Sequence, residues 1–248
     1  MAKPTIVLIH GAWHGSWCWD KVATSLRENG FEVVVPDLPG HEQPGSSARI
    51  WNRTSDYVSH VEGLLDDISR PTLLVGHSMG GLIVQRVLEQ RDVDGAVLVA
   101  SVPRRGAIGA VARLLKRHPG QVIEAISSLS LWPMVATDER ARELFFAEGT
   151  DEDAIVEAAS KLQNESFIAF LSMLARWPRP RTVNTPITVV AATQDQVFTL
   201  AEQHDLAQAY GQQVAHEIDA GHDIMLEPAW PELVEMISIV GEGIATSS

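Results

Sequence analysis

The segment Gly76-His77-Ser78-Met79-Gly80, followed by Gly81, constrains this chain more than any other. It lies directly after the apolar run Leu73–Val75 and before the helical pattern Leu82–Gln90, so the chain must leave a strand and enter a helix almost at once. Side chains larger than glycine would clash at the flanks of so sharp a turn, and the central serine is held in a strained conformation. Ser78 is thereby pushed out above the strand ends. The Met79 amide sits at a helix N-terminus, where it can face developing negative charge. Strand, G-x-S-x-G and helix together make the nucleophile-elbow pattern, with Ser78 as candidate nucleophile.

The rest of the chain repeats the strand-then-helix theme. Apolar runs occur at Thr5–Ile9, Phe31–Val35, Thr72–Val75, Ala96–Val99, Ile187–Val190 and Val214–Ile218. Helical patterns fall near 17–28, 55–68, 80–90, 199–209 and 229–243. Because the runs are continuous rather than alternating, each strand should be buried on both faces. Alternating βα units then predict an α/β fold, a mostly parallel sheet of about six strands with helices on both faces. From Pro103 to Thr182 no strand pattern appears, only helical patterns punctuated by Pro119, Pro133, Pro178 and Pro180. That stretch is too long for a loop, so it reads as a helical insertion, 103–182, in a core formed by 1–102 and 183–248. The tail from Ala245 to Ser248 is expected to fray.

The 248 residues are 45% apolar and 21% charged, which fits a globular protein and excludes disordered, collagen-like and disulfide-framework chains. A net charge of −13 argues against nucleic acid and anionic membranes as partners. No apolar run approaches the roughly 18 residues of a membrane span. The N-terminus lacks a signal-peptide cleavage pattern, so the expected location is cytoplasmic. A homodimer is left open. The stretch 103–182 holds 11 basic against 10 acidic residues, so the acidity belongs to the core. Arg104, Arg105, Arg113, Lys116, Arg117, Arg176, Arg179 and Arg181 flank the insertion and are expected as solvated hinge residues.

A serine nucleophile needs a base, and there are nine histidines. His77 should point away from the reacting side of its turn. His10, His14 and His41 lie in loops around the expected site, and His60, His118, His204 and His216 fall in or beside regular elements. His222, in Ala220-Gly221-His222-Asp223-Ile224, follows the last strand and precedes the final helix, at the sheet edge where open α/β folds keep their sites. It is the candidate base. Asp195, just past the strand Ile187–Val190, completes the chain order Ser…Asp…His. Asp219 and Asp223 are rivals, but stand too near His222 in sequence to face its ring easily.

The first strand ends in Ile9-His10-Gly11-Ala12-Trp13, where Gly11 lets the backbone approach the site. The amides of Ala12 and Met79 are therefore the candidate oxyanion hole. Cys18 sits in the apolar string Trp17-Cys18-Trp19 and reads as core packing. No histidines show metal-ligand spacing, so no metal is expected. Among the aromatics of 103–182 (Trp132, Phe145, Phe146, Phe167, Phe170 and Trp177), Trp132, Phe167 and Phe170 are the candidates, with Trp13, to line an apolar substrate pocket.

With HGAWHGSWCWDK at 10–21 and GHSMGG at 76–81, the chain resembles the α/β-hydrolases, in particular the plant methylesterase and hydroxynitrile lyase branch and related bacterial esterases. The resemblance spans nearly the whole chain and is weakest in 103–182. It implies a cofactor-free Ser-His-Asp hydrolase with a helical cap, acting on a small-molecule ester. Lyases of that branch carry a threonine where this chain has Gly11 and a lysine where it has Asp223, and both departures favour the esterase side. Lactonase, C–C bond hydrolase, perhydrolase and lyase-like reactions share the same parts. A ligand-binding receptor is the non-enzyme alternative, against which an intact triad speaks.

Overall fold

The structure, a computed structural model, describes residues 3–42, 51–69, 71–175 and 177–247, so the expected hinge residue Arg176 lies outside the described residues. Six strands, β1 (Thr5–Ile9), β2 (Glu32–Val34), β3 (Thr72–His77), β4 (Gly95–Val99), β5 (Ile187–Ala192) and β6 (His216–Ile218), form one sheet in the order β2-β1-β3-β4-β5-β6. Every neighbouring pair is parallel. The apolar runs are continuous because successive residues serve opposite faces. Ile6, Leu8, Leu73, Val75, Val97, Val99 and Val190 pack under α1 (Asp20–Glu28) and α10 (Trp230–Ser247). Val7, Ile9, Leu74, Ala96, Leu98 and Val189 pack under α2 (Thr54–Asp66), α3 (Met79–Leu88) and α9 (Leu200–Ala209). Each such fully buried aliphatic contributes about 1.5–3 kcal/mol.

Strand β2 begins one residue later than its apolar run. Gly30, at φ 82°, ends the turn after α1, and the Phe31 amide donates back to the Leu26 carbonyl. The expected frayed tail is instead helical: α10 continues to Ser247.

Between β4 and β5 the described residues contain no strand. They form α4 (Ile108–Arg117), α5 (Pro119–Ser128), α6 (Asp138–Phe145), α7 (Glu152–Lys161) and α8 (Phe167–Ala175), with 3-10 turns at Trp132–Met134 and Pro180–Thr182. The prolines mark starts: Pro119 opens α5, where its missing N–H costs nothing. Thr137 and Asp151 cap α6 and α7 by accepting from the Arg140 and Ala154 amides. Most of this segment shares an apolar cluster of its own, including Met134, Leu144, Phe145, Phe146, Ile155 and Leu162, against which Trp13, Trp17, Val197 and Leu226 pack. Helix α8 behaves differently, because its Ala169 and Met173 belong to the cluster beneath α2 and α3.

The basic residues flanking the segment are not uniformly solvated, as the sequence alone would have them. Arg104 pairs with Asp205 at 2.8 Å, Arg113 with Glu202 at 2.7 Å, and Arg179 with Glu89 at 3.3 Å. These pairs tie the segment to α9 and to the end of α3, whereas Arg105, Lys116, Arg117 and Arg181 are exposed. The sheet order reverses at β1, so the β1 and β3 connections leave on opposite sides and open a crevice at their carboxyl ends.

Candidate active site

Ser78 stands in that crevice, between β3 and α3, with φ 51° and ψ −115°. A non-glycine residue pays about 1–3 kcal/mol for such a backbone and keeps it only when its surroundings enforce it. The enforcement is visible. The Ser78 amide donates to Val99 O at 3.0 Å, and its carbonyl accepts from Gly81 N and Val102 N. A Cβ on Gly76 would lie 2.5 Å from the Gly80 carbonyl oxygen, and one on Gly80 would strike the carbonyls of Ile9 and His10. Only glycine fits either position. Met79 follows as the first residue of α3, and the opening amides of a helix have no partner within it.

The loop after β1 lies against this turn. A Cβ on Gly11 would sit 3.0 Å from Ser78 Cβ, which places the Gly11-Ala12 backbone beside the serine. Trp13 adopts φ 64°, a second left-handed non-glycine residue. It is held there from the helical segment: its carbonyl accepts from Gln163 N at 2.8 Å and its Nε1 donates to Leu131 O at 3.3 Å.

Asp195 and His222 meet as the chain order suggests. His222 Nδ1 donates to Asp195 Oδ2 at 2.8 Å, with both side chains almost fully buried. The other carboxylate oxygen accepts the amides of Val197 and Phe198, at 2.7 and 3.0 Å. Burial alone would lower the His222 pKa. The Asp195 charge and hydrogen bond outweigh it, with help from Asp223, and hold the imidazole above its ordinary value. Phe198 meets the His222 ring edge-on, while Phe145 stacks near it at 6.1 Å between centroids. His222 reaches the serine's turn through His77, the residue before Ser78, whose ring centroid is 4.8 Å away.

The His222 loop is fastened to the helical segment as well. The Asp223 amide donates to Phe145 O at 3.0 Å. Glu227, buried, accepts the amides of Gly221 and Ala147 on Oε1, at 2.8 and 3.0 Å, and Thr150 Oγ1 on Oε2. Its desolvation raises its pKa despite those donors.

Of the proposed pocket residues, Trp13 and Phe170 pack against the cluster that contains Ala12 and Met79. Phe167 is buried, and Trp132 is 38% exposed on its 3-10 turn. Phe145, which touches Trp13, His14 and His222, is the aromatic of this segment that flanks the base. Its place depends on a contact between distant loops and left no trace in the local pattern. His10 is a structural residue: Nδ1 donates to Gly11 O, and Nε2 accepts from Leu38 N. His41 is buried against Glu165 at 3.3 Å. His118 and His204 pair with Glu143 and Glu217 nearer the surface.

In three dimensions His77, His222 and Asp223 bring one nitrogen or oxygen each within 4.8 Å of one another, a convergence that sequence spacing does not show. Three of the group's donor atoms have protein partners. His222 Nδ1 is engaged by Asp195, His77 Nε2 by the His222 carbonyl at 3.1 Å, and Asp223 Oδ2 by His14 at 2.9 Å.

Residues 6–234 match the profile of the family described as Alpha/beta hydrolase family. The chain is 26% identical over 221 residues to Methylesterase 18 of Arabidopsis thaliana, covering 80% of this chain and 82% of that protein. It is 25% identical over 229 residues to the Pyrethroid hydrolase of Sphingobium wenxiniae, covering 87% and 79%. Among solved structures, the pyrethroid hydrolase from Sphingobium faniae JZ-2 superimposes with a TM-score of 0.71 at 23% identity, covering 98% of this chain and 99% of that one. With its parallel six-stranded sheet and strained serine turn, the chain belongs to the alpha/beta hydrolase family.

Proposed function

We propose that this hydrolase is a serine carboxylesterase. Ser78 Oγ attacks the ester carbonyl while His222 takes its proton, and Asp195 orients the imidazole and stabilises its charged form. The amides of Ala12 and Met79 receive the oxyanion of the tetrahedral intermediate. Collapse expels the alcohol, protonated by His222, and leaves an acyl group on Ser78. Water deprotonated by His222 then releases the acid. The observation that carries this reading is the buried 2.8 Å contact between His222 and Asp195 beside a serine held at φ 51°. A pure binder has no need of either.

The substrate is a small, largely apolar ester. Met79 and Phe198 belong to one apolar cluster against which Trp13 and Phe170 pack, and the Phe145 and Phe198 rings flank His222. The relatives named as a methylesterase and a pyrethroid hydrolase point the same way. A cyanohydrin-cleaving reaction is disfavoured, because the side chain after His222 is an acid turned toward His14 rather than a free cation.

The test compares the parent chain with Ser78→Ala on p-nitrophenyl acetate and butyrate. A nitrophenol burst of about one per chain, absent from the variant, is expected for an acyl-enzyme. Parent turnover no higher than that of Ser78→Ala would overturn the reading, and cyanide release from mandelonitrile would redirect it to a lyase.

A further inference from the structure

Beneath the proposed triad lies a second acid–imidazole system that the esterase mechanism does not use. His14, His77 and Asp223 are all buried, with side-chain exposures of 1% or less. His14 Nδ1 lies 2.7 Å from the Ala12 carbonyl oxygen, and its Nε2 lies 2.9 Å from Asp223 Oδ2. A carbonyl oxygen can only accept a hydrogen bond. Asp223 remains a carboxylate: burial would raise its pKa, but the His14 contact overcomes that and holds it below the usual range. Both His14 nitrogens therefore face oxygens, one on the Ala12 carbonyl and one on the Asp223 carboxylate.

Burial and the neighbouring His222 keep His77 neutral. Its Nε2 donates to the His222 carbonyl at 3.1 Å and passes Asp223 Oδ1 at 3.5 Å. That fixes the tautomer, with the proton on Nε2.

These contacts join three loops that are far apart in sequence. His14 holds the carbonyl of Ala12, whose own amide is the proposed oxyanion donor. His77 immediately precedes Ser78. Asp223 immediately follows His222, and the His222 carbonyl accepts from His77. We propose that His14, Asp223 and His77 form a buried tie that sets the distances between oxyanion amide, nucleophile and base, making His14 and Asp223 positioning residues of the reaction. The proposal rests on the esterase reading for its kinetic consequences, but the tie itself is a property of the fold. Breaking it should leave substrate binding intact and slow chemistry, because a misplacement of about 1 Å between reacting groups can cost a hundredfold in rate.

Three variants test this. Asp223→Ala removes the acceptor and is expected to lower kcat by about 10- to 100-fold with KM within threefold. Asp223→Asn removes the charge but keeps the tie. Its amide nitrogen can donate to His14 Nε2, while His14 Nδ1 donates to the Ala12 carbonyl. It should recover kcat to within about fivefold of the parent. His14→Ala combined with Asp223→Ala should cost no more than the worse single variant, since both break one link.

A readout independent of turnover accompanies these. The low-field proton resonance of His222 Nδ1–H in its bond to Asp195 should be retained in Asp223→Asn and shifted or broadened in Asp223→Ala. Kinetic losses that multiply in the double variant would overturn the proposal, as would Asp223→Asn being as slow as Asp223→Ala. If Asp223→Ala does not fold, Asp223→Asn and the proton resonance still decide. Full activity combined with a displaced resonance would also count against positioning. A parent chain without esterase activity would instead show in the Ser78 comparison, while the resonance continued to report on the tie.

Discussion

Asp195 divides its two carboxylate oxygens between partners: Oδ2 takes the His222 ring, and Oδ1 takes the amides of Val197 and Phe198. The backbone bonds fix the acid, so the acid can fix the imidazole. Replacing Asp195 with Asn preserves the shape but presents an NH2 or a weaker acceptor to Nδ1, favouring the wrong tautomer. In steady-state assays on p-nitrophenyl butyrate, Asp195→Asn should lower kcat by about three to four orders of magnitude with little change in KM.

His222 must be neutral to act as a base. Because its pKa is held above the ordinary imidazole value of 6.5, protonation should silence the enzyme over a correspondingly higher range. The kcat/KM profile for a neutral ester should therefore rise with a midpoint above 6.5. A midpoint at or below that value would show that Asp195 does not control the ring. In Asp195→Asn the residual activity should titrate at lower pH than in the parent, since the attraction that opposes burial is gone.

The glycines of the serine turn are steric requirements. Gly76→Ala places a methyl group 2.5 Å from the Gly80 carbonyl, and neither backbone can yield without moving Ser78. A loss of about 2–4 kcal/mol is expected, readable as a fall of roughly 5–15 °C in Tm. Gly63→Ala, where an added Cβ meets nothing within 4 Å, is the control. It lies within α2 and should be neutral or gain up to about 1 kcal/mol.

Much of this was legible in the sequence. The turn could be read because steric exclusion acts between near neighbours, leaving G-x-S-x-G as its imprint. The sheet could be read because burial on both faces demands continuous runs such as Ile6–Ile9. The pairing of Asp195 with His222 followed from chain order. Phe145, Glu227 and His14 acquire their places only when the loops after β1 and β6 meet the helical segment. The sequence argues against Asp223 as a partner for its neighbour's ring, and only the fold brings it to its partner His14. The paired arginines were hidden for the same reason: Arg113 finds Glu202 only across the folded boundary.

Glu227 offers a cleaner test of such a long-range link. Glu227→Gln should be almost silent. Its oxygen can still accept from Gly221 and Ala147, and its amide can donate to Thr150 Oγ1, which itself donates to Ala147 O. Glu227→Ala strands two amides, at about 1–3 kcal/mol each where water cannot reach them. Thermal denaturation of both variants distinguishes acceptor geometry from charge.

The His41–Glu165 contact predicts a pH-dependent stability. Burial lowers the His41 pKa, but the Glu165 carboxylate 3.3 Å away outweighs it and leaves it above its ordinary value. A group whose pKa is raised on folding stabilises fully below its unfolded value, near 6.5, and loses that contribution as pH rises through the folded value. Denaturant unfolding should show the parent exceeding Glu165→Gln most at about pH 6 and converging with it at alkaline pH. A gap independent of pH would mean that Tyr57, which donates to Glu165 at 2.7 Å, carries the effect instead.

Trp13 ties the helical segment to the loop after β1. Its carbonyl and its indole are both held by the helical segment, through Gln163 and Leu131, and it directly follows Ala12, the proposed oxyanion donor. Displacing the segment would therefore also unclasp the loop that carries the proposed oxyanion donor.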